Sequence, residues 1–157
     1  MNLSGLFFMK NRSKTIPYVL VTLQFSSLIY LIFSGPKIAQ GWAGLVLETA
    51  GILLGLIAIY VAGIHNVNVA PLPKSGGKLI TTGPYTLIRH PMYLAQVVAL
   101  VPLVFDYPTP LRTGVLILLC IVLIIKIEVE EKGLIEQFGN DYIEYKKKTA
   151  RVLPFVY

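Results

Sequence analysis

From Ile16 to Ser34 the chain runs for 19 residues without a formal charge, and from Gly41 to Ile64 for 24 residues interrupted only by Glu48. As helices rising about 1.5 Å per residue, both runs are long enough to cross a hydrocarbon layer about 30 Å thick. Membrane-spanning helices are therefore the first expectation. A cleaved secretory leader explains the first run less well, because no small-residue cleavage site follows and the apolar stretch is long for such a leader. Composition agrees with a lipid solvent: 55% of the 157 residues are hydrophobic and 14% charged, outside the range of water-soluble domains.

Two shorter apolar runs follow, Pro91 to Phe105 with 15 residues and Thr113 to Ile125 with 13. Between them stands Asp106-Tyr107-Pro108-Thr109-Pro110, which no continuous helix tolerates. This predicts a helical hairpin whose arms reach membrane depth by borrowing flanking residues, with Lys126 snorkelling to the interface. Past Ile125 the helical period continues through Lys126, Glu130, Leu134 and Phe138 while charges enter, so the helix should leave the membrane. Gly139-Asn140 reads as its stop, and Asp141 as the cap of a last short helix through Lys148, broken by Pro154. The expected fold is all-α and integral to the membrane: a single domain over residues 1–157 with spans at about 16–34, 41–64, 91–106 and 111–127 and a cytosolic C-terminal helical extension.

Orientation follows from the basic residues, because short loops rich in Lys and Arg stay cytoplasmic. Of the 14 lysines and arginines, all but Lys37 and Arg112 precede the first span, lie between the second and third, or follow the fourth. Four spans with both termini in the cytosol satisfy the rule. The net charge of +6 then reports topology and contact with anionic lipid headgroups, and nucleic-acid binding is an unneeded reading. A lone Cys120 offers neither a disulfide partner nor a metal cluster, and no metal or internal repeat is expected.

Some polar or small residues within the spans have two readings. Glu48 is by default a functional candidate at membrane depth, but it lies near the outer end of its span, where a packing role competes. Gly51 and Gly55 form a small-xxx-small pair that should face another helix. The polar groups most suggestive of chemistry gather in two stretches, around residues 75–95 and 126–154. The hairpin returns these to one membrane side, so His90 and Glu130 can share a pocket. Pro91 suits a first helical turn without any function, whereas His90 beside Arg89 is disfavoured as a cation and suits a neutral hydrogen-bonding role. Arg89 alone could be an interface residue, and Tyr85 and Tyr93 members of an aromatic belt.

In these stretches the order Arg89-His90-Pro91-Met92-Tyr93, Glu130-Glu131, Leu134, Phe138-Gly139, Tyr142 and Tyr145 resembles the isoprenylcysteine carboxyl methyltransferases and their phospholipid methyltransferase relatives, over roughly Leu79 to Phe155. The resemblance implies an S-adenosylmethionine site of non-Rossmann kind, and no Gly-x-Gly-x-x-Gly follows a strand here. Carried over by position, the cofactor contacts are Gly77, Lys78, Leu79, Ile80, Tyr85, His90, Pro91, Met92, Tyr93 and Glu130. The acceptor side falls to Lys126 and Arg89, and catalytic roles to Lys126 and Glu131. Two departures stand out: Ala95 where better-known members resemble Gly, expected to narrow the cofactor's approach slightly, and Lys126 in place of an arginine, which loses bidentate grip on a carboxylate.

The function implied is methyl transfer from S-adenosylmethionine to a lipid-like or isoprenylated acceptor, at a carboxylate or thiol. A carboxylate needs no general base; a thiol or amine must lose a proton, for which Glu131 or His90 would be nearest. Headgroup N-methylation of a phospholipid is an alternative, and so is a non-catalytic four-helix membrane protein that assembles through Gly51 and Gly55. The charge distribution makes a topological prediction: cysteine labelling from outside whole cells should modify a Cys placed at Lys37 and spare one at Lys74. The reverse pattern would exclude both the orientation and a cytosolic site.

Overall fold

The structure is a computed structural model and describes residues 15–63 and 77–153. The basic residues Lys10, Arg12 and Lys14, the loop from Pro71 to Gly76, and Pro154 lie outside the described residues. Among the described residues five α-helices are formed: α1 Thr15–Phe33, α2 Trp42–Ala62, α3 Pro91–Asp106, α4 Pro110–Phe138 and α5 Asn140–Lys148, with a short 3-10 turn at Gly83–Thr86 before α3. Helices α1, α2 and α4 are long and apolar enough to cross a membrane. The 16 residues of α3 span roughly 24 Å, so α3 is apolar but shorter.

Helix boundaries follow local chemistry. Pro91 opens α3 and Pro110 opens α4, where a missing N–H costs nothing. Thr109 caps α4, its side chain accepting from the Arg112 N–H at 3.2 Å. Between α3 and α4, Asp106-Tyr107-Pro108-Thr109 makes the expected hairpin turn. At the other end α4 stops at Phe138, and Gly139 turns the chain with φ +57. The expected cap at Asp141 is not formed: Gly139 occupies the cap position without a side-chain bond, and Asp141 falls inside the first turn of α5. As expected, α5 ends at Lys148, where the next residues pair elsewhere, Ala150 forming a parallel bridge with Ile88.

In the packing, α2 lies chiefly against α3, and α1 chiefly against α4 with some contact to α3. Gly51 makes the first contact possible. A Cβ there would stand 2.5 Å from the Ala99 nitrogen and 2.9 Å from the Ala95 carbonyl oxygen, so only a hydrogen fits between these backbones. Ala95 belongs to this contact: it is buried, with its methyl near Gly55. It therefore spaces α3 from α2, and the expected narrowing of a cofactor's approach is replaced by that packing role. Glu48 has a local use, accepting the Ala39 N–H at 2.8 Å and so holding the α1–α2 loop.

Arg112 ties the hairpin end together. Its guanidinium donates to the Leu31 carbonyl at 3.1 Å, to Ser34 Oγ at 2.6 Å and to the Leu103 carbonyl at 2.8 Å, joining α1, α3 and α4. These carbonyls lie near helix C-terminal ends, where the helix dipole favours a cation.

The α2–α3 contact yields a graded prediction. Gly51→Ala should cost about 1–3 kcal/mol, because the clash is with backbone. Gly55→Ala, whose added carbon would meet only the Ala95 methyl at 3.4 Å, should be near neutral. Thermal unfolding of the two variants in detergent checks the ordering; equal losses would show that the helices do not approach this closely.

Candidate functional site

At the end of the bundle away from the hairpin turn, the last turn of α2, the 3-10 turn, the start of α3, the second half of α4 and α5 surround a cavity of about 100 Å³ that opens to the surface. Ala62, Leu79, Ile80, Met92 and Leu134 give it apolar walls; Tyr85, His90, Glu130, Tyr142 and Tyr145 give it polar ones.

The 3-10 turn aims Tyr85. Gly83 takes φ +59, with Val61 so close that a Cβ would lie 2.9 Å from its methyl, and Pro84 presets the turn after it. Tyr85 then packs on Ala58 and Ala62 of α2. The Tyr145 hydroxyl donates to the Tyr85 carbonyl at 2.7 Å, locking α5 onto the turn. Burial pushes the Tyr85 phenol up to about 12, with help from the Glu130 charge, and pushes the Tyr145 phenol up to about 12. Both are neutral near pH 7 and serve as hydrogen-bonding aromatic walls.

His90 is held on all sides. Its backbone N–H donates to the Arg151 carbonyl at 3.2 Å, next to the Arg89 N–H bond to the Ala150 carbonyl at 2.9 Å. The imidazole stacks on Tyr93 with centroids 5.7 Å apart. Its Nδ1 lies 3.9 Å from Glu130 and its Nε2 3.5 Å from Glu131. Tyr93 donates its hydroxyl to Glu130 Oε2 at 2.9 Å, fixing that carboxylate while leaving its side chain 32% exposed to the cavity.

The two glutamates thus differ sharply. Glu131 has a side chain only 4% exposed, with Arg89 at 2.8 Å, Lys146 at 2.9 Å and Arg151 at 3.3 Å. A carboxylate with three cationic partners is a poor proton acceptor. Arg89 is equally committed: besides Glu131 it donates to the Lys146 carbonyl at 3.2 Å and to the Thr149 carbonyl, so it closes the C-terminal end of α5. Its donors face the protein, although its side chain also borders the cavity.

Of the residues predicted to touch a cofactor, Lys78, Leu79, Ile80, Tyr85, His90, Met92 and Glu130 line this cavity. Gly77 precedes them. Pro91 is buried within the α3 start, and Tyr93 acts from behind through Glu130. Leu134, Tyr142 and Tyr145 stand in the motif but receive no place in the site expected from sequence, and Ala62 is passed over there because an apolar residue at a helix end carries no chemical signal. Lys126 is elsewhere: it is 1% exposed, donates to Gln24 Oε1, and its Nζ stands 5.4 Å from the Tyr93 ring centroid.

A second cavity, a groove of about 450 Å³, runs along α3 and α4 beneath the C-terminal segment. Tyr93, Val97, Leu123, Ile124 and Ile127 make it apolar, and Glu128 and Arg151 mark its polar end. Tyr93 is the bridge, lining the groove while bonding Glu130 of the first cavity.

The phospholipid methyltransferase family pattern matches residues 39–141. The chain is 32% identical over 127 residues to a protein-S-isoprenylcysteine O-methyltransferase of Xenopus laevis, covering 72% of this chain and 40% of that protein. It is 34% identical over 125 residues to the Saccharomyces cerevisiae protein of the same name, covering 72% and 48%. Similarity also extends to methanethiol S-methyltransferase 1 of Bradyrhizobium diazoefficiens, 31% over 75 residues, covering 45% and 24%. The chain thus spans less than half the length of each of these three relatives.

The Glu131 cluster predicts a stability effect. Glu131→Gln leaves the buried Arg89 guanidinium without its counter-charge and should lower stability by about 3–5 kcal/mol. Lys147→Ala, which breaks only the exposed pair with Glu144, should change it by less than about 1 kcal/mol. Thermal melts of the two variants compare them directly.

Proposed function

Because the chain belongs to the phospholipid methyltransferase family, we propose that it is a membrane-embedded methyltransferase whose cavity takes S-adenosylmethionine. The acceptor is an amphiphile whose apolar tail lies in the 450 Å³ groove. The observation that carries this is the shared wall: Tyr93 lines the groove and fixes Glu130 of the cavity, so two ligands could meet across one residue.

The lining suits the cofactor. Glu130 offers a fixed, partly exposed carboxylate for amino or ribose hydroxyl donors, and Tyr85 and Tyr145 offer aromatic surface to a purine or a sulfonium. Among the described residues, Tyr142 Oη is a buried polar atom of the wall that makes no hydrogen bond within the chain, whereas His90 Nε2 faces Glu131 at 3.5 Å. An unspent buried group of this kind is costly unless a ligand uses it. When bound, the cofactor supplies a methyl group already activated by a sulfonium. The chain's task is then alignment and exclusion of water: Tyr93 fixes Glu130, the Glu131 cluster holds His90, and α5 closes the cavity through Tyr145.

No proton acceptor is required for a carboxylate acceptor. Glu131, expected as a base for a thiol, serves instead as the anchor of the cations around it. The names of the relatives, an O-methyltransferase of isoprenylcysteine and an S-methyltransferase of methanethiol, favour an oxygen or sulfur acceptor over a headgroup nitrogen. A purely assembling role for Gly51 and Gly55 loses its ground, since that face already packs on α3 of the same chain. We place the cavity on the cytosolic side, with α3 as the fourth span, from the distribution of basic residues.

Glu130→Ala should weaken binding of S-adenosylhomocysteine, the unreactive product, by roughly 5- to 150-fold in calorimetry, while Glu144→Ala on the outer face of α5 leaves it unchanged. Labelled methyl should appear on a prenylcysteine carboxylate or an alkanethiol in preference to phosphatidylethanolamine. Unaltered affinity in Glu130→Ala, or label found only on the headgroup amine, would overturn the respective assignment.

A further inference from the structure

Three polar side chains meet inside the apolar bundle: Gln24 of α1 and Lys126 of α4, 4% and 1% exposed, and the half-buried Gln96 of α3. They form a directed relay. Gln96 donates its amide to the Met92 carbonyl at 3.2 Å, which turns its oxygen towards α1. That oxygen accepts from the Gln24 amide at 2.7 Å, and the Gln24 oxygen is thereby left facing Lys126, whose ammonium donates to it. With each amide pinned at its nitrogen, neither can flip without breaking a bond.

The relay ends beside the site. Lys126 Nζ lies within cation–π range of Tyr93, whose hydroxyl holds Glu130 and whose ring stacks on His90. As an acceptor anchor Lys126 would have to meet the ligand, yet it is buried and lines neither cavity. We propose that Gln24 is a positioning residue for the cofactor site, acting through Lys126 and Tyr93. Resting on the cofactor assignment above, this gives a role to α1, which lies outside residues 39–141 matched by the family pattern. Without the Gln24 oxygen, the buried ammonium loses an acceptor that holds it beside Tyr93. Its displacement frees the Tyr93 ring that fixes Glu130 and His90.

The test uses the full chain in detergent with 3-fluorotyrosine placed at Tyr93, read by fluorine NMR and by S-adenosylhomocysteine calorimetry. Gln24→Met, nearly isosteric but without an acceptor, should shift or broaden the Tyr93 resonance and weaken binding roughly tenfold. Gln24→Glu keeps an oxygen for the ammonium but loses the amide that donates to Gln96, and should depart less from the native values than Gln24→Met. Ser27→Ala, buried on the same helix, controls for packing and should alter melting alone. Should Gln24→Met fail to accumulate, Gln96→Met removes the amide that orients Gln24 and should give the same shift in smaller measure. A native Tyr93 resonance and native affinity in folded Gln24→Met or Gln96→Met would overturn the proposal. If the native chain binds no S-adenosylhomocysteine, the cofactor assignment fails, and the fluorine resonance alone still decides whether Gln24 positions Tyr93.

Discussion

Glu131 is a buried carboxylate whose charge the chain must match itself, and the matching cations come from three separate places. Arg89 precedes α3, Lys146 sits on α5, and Arg151 follows it in the C-terminal segment. Each of these segments is paired to the same carboxylate, so the start of α3, the second half of α4, α5 and the segment after it are coupled through Glu131. The backbone reinforces this, since Arg89 and His90 donate to the carbonyls of Ala150 and Arg151. His90 is therefore presented to the cavity by a two-stranded contact as well as by its helix, and its stack on Tyr93 fixes the ring. The geometry around Glu130 depends on this neighbouring charge.

Close helix contact supplies the other half of the site. In lipid there is little hydrophobic gain in pairing two apolar helices, so packing has to come from near approach of the backbones. Gly51 provides it where α2 meets α3, and the consequence at the far end of α2 is that Ala58 and Ala62 come up against Tyr85. Tyr85 is then wedged between α2 and α5, with its hydroxyl 3.4 Å from the Ala58 carbonyl and its own carbonyl taken by Tyr145. Arg112 performs the corresponding task at the opposite end, binding helix-terminal carbonyls and a serine hydroxyl rather than a carboxylate.

The helices were largely legible in sequence because their signals are long-range and redundant: uninterrupted apolar runs, proline at helix starts and glycine at a helix stop. Bonds made across helices were less so. Nothing local distinguishes Glu130 from Glu131, yet one is held partly open by a tyrosine and the other is enclosed by three cations. Arg89 beside His90 suggests ligand binding by adjacency, whereas its side chain turns to the end of α5 because helix-terminal carbonyls there lack partners. Likewise Ala95 resembled a change in the cofactor's approach until α2 placed Gly51 and Gly55 beside it. Gln24 and Gln96 did carry a signal, as solitary amides in apolar runs, since a polar group at that depth requires a partner. Which partner they take depends on how α1 docks, and that no short window reveals.

The matched segment, residues 39–141, contains Tyr85, His90, Tyr93 and Glu130, enough to outline the cavity but not to fix it. Gln24 lies before the segment and bears on Tyr93 through Lys126. Tyr142, Tyr145, Lys146 and Arg151 lie after it, and they complete the wall and neutralise Glu131. Tyr93 receives both influences, from Lys126 on one hand and from the clamped His90 on the other. The groove has the same double character, with α3 and α4 forming its length and Arg151, Val152 and Leu153 covering its polar end. Chemistry shared by a family can thus stay in the central hairpin while flanking segments set how firmly the cavity is held and what the groove admits. On the proposed function, substitutions in α1 and after α5 would then tune affinity and acceptor choice without touching a residue that lines the cavity around Glu130.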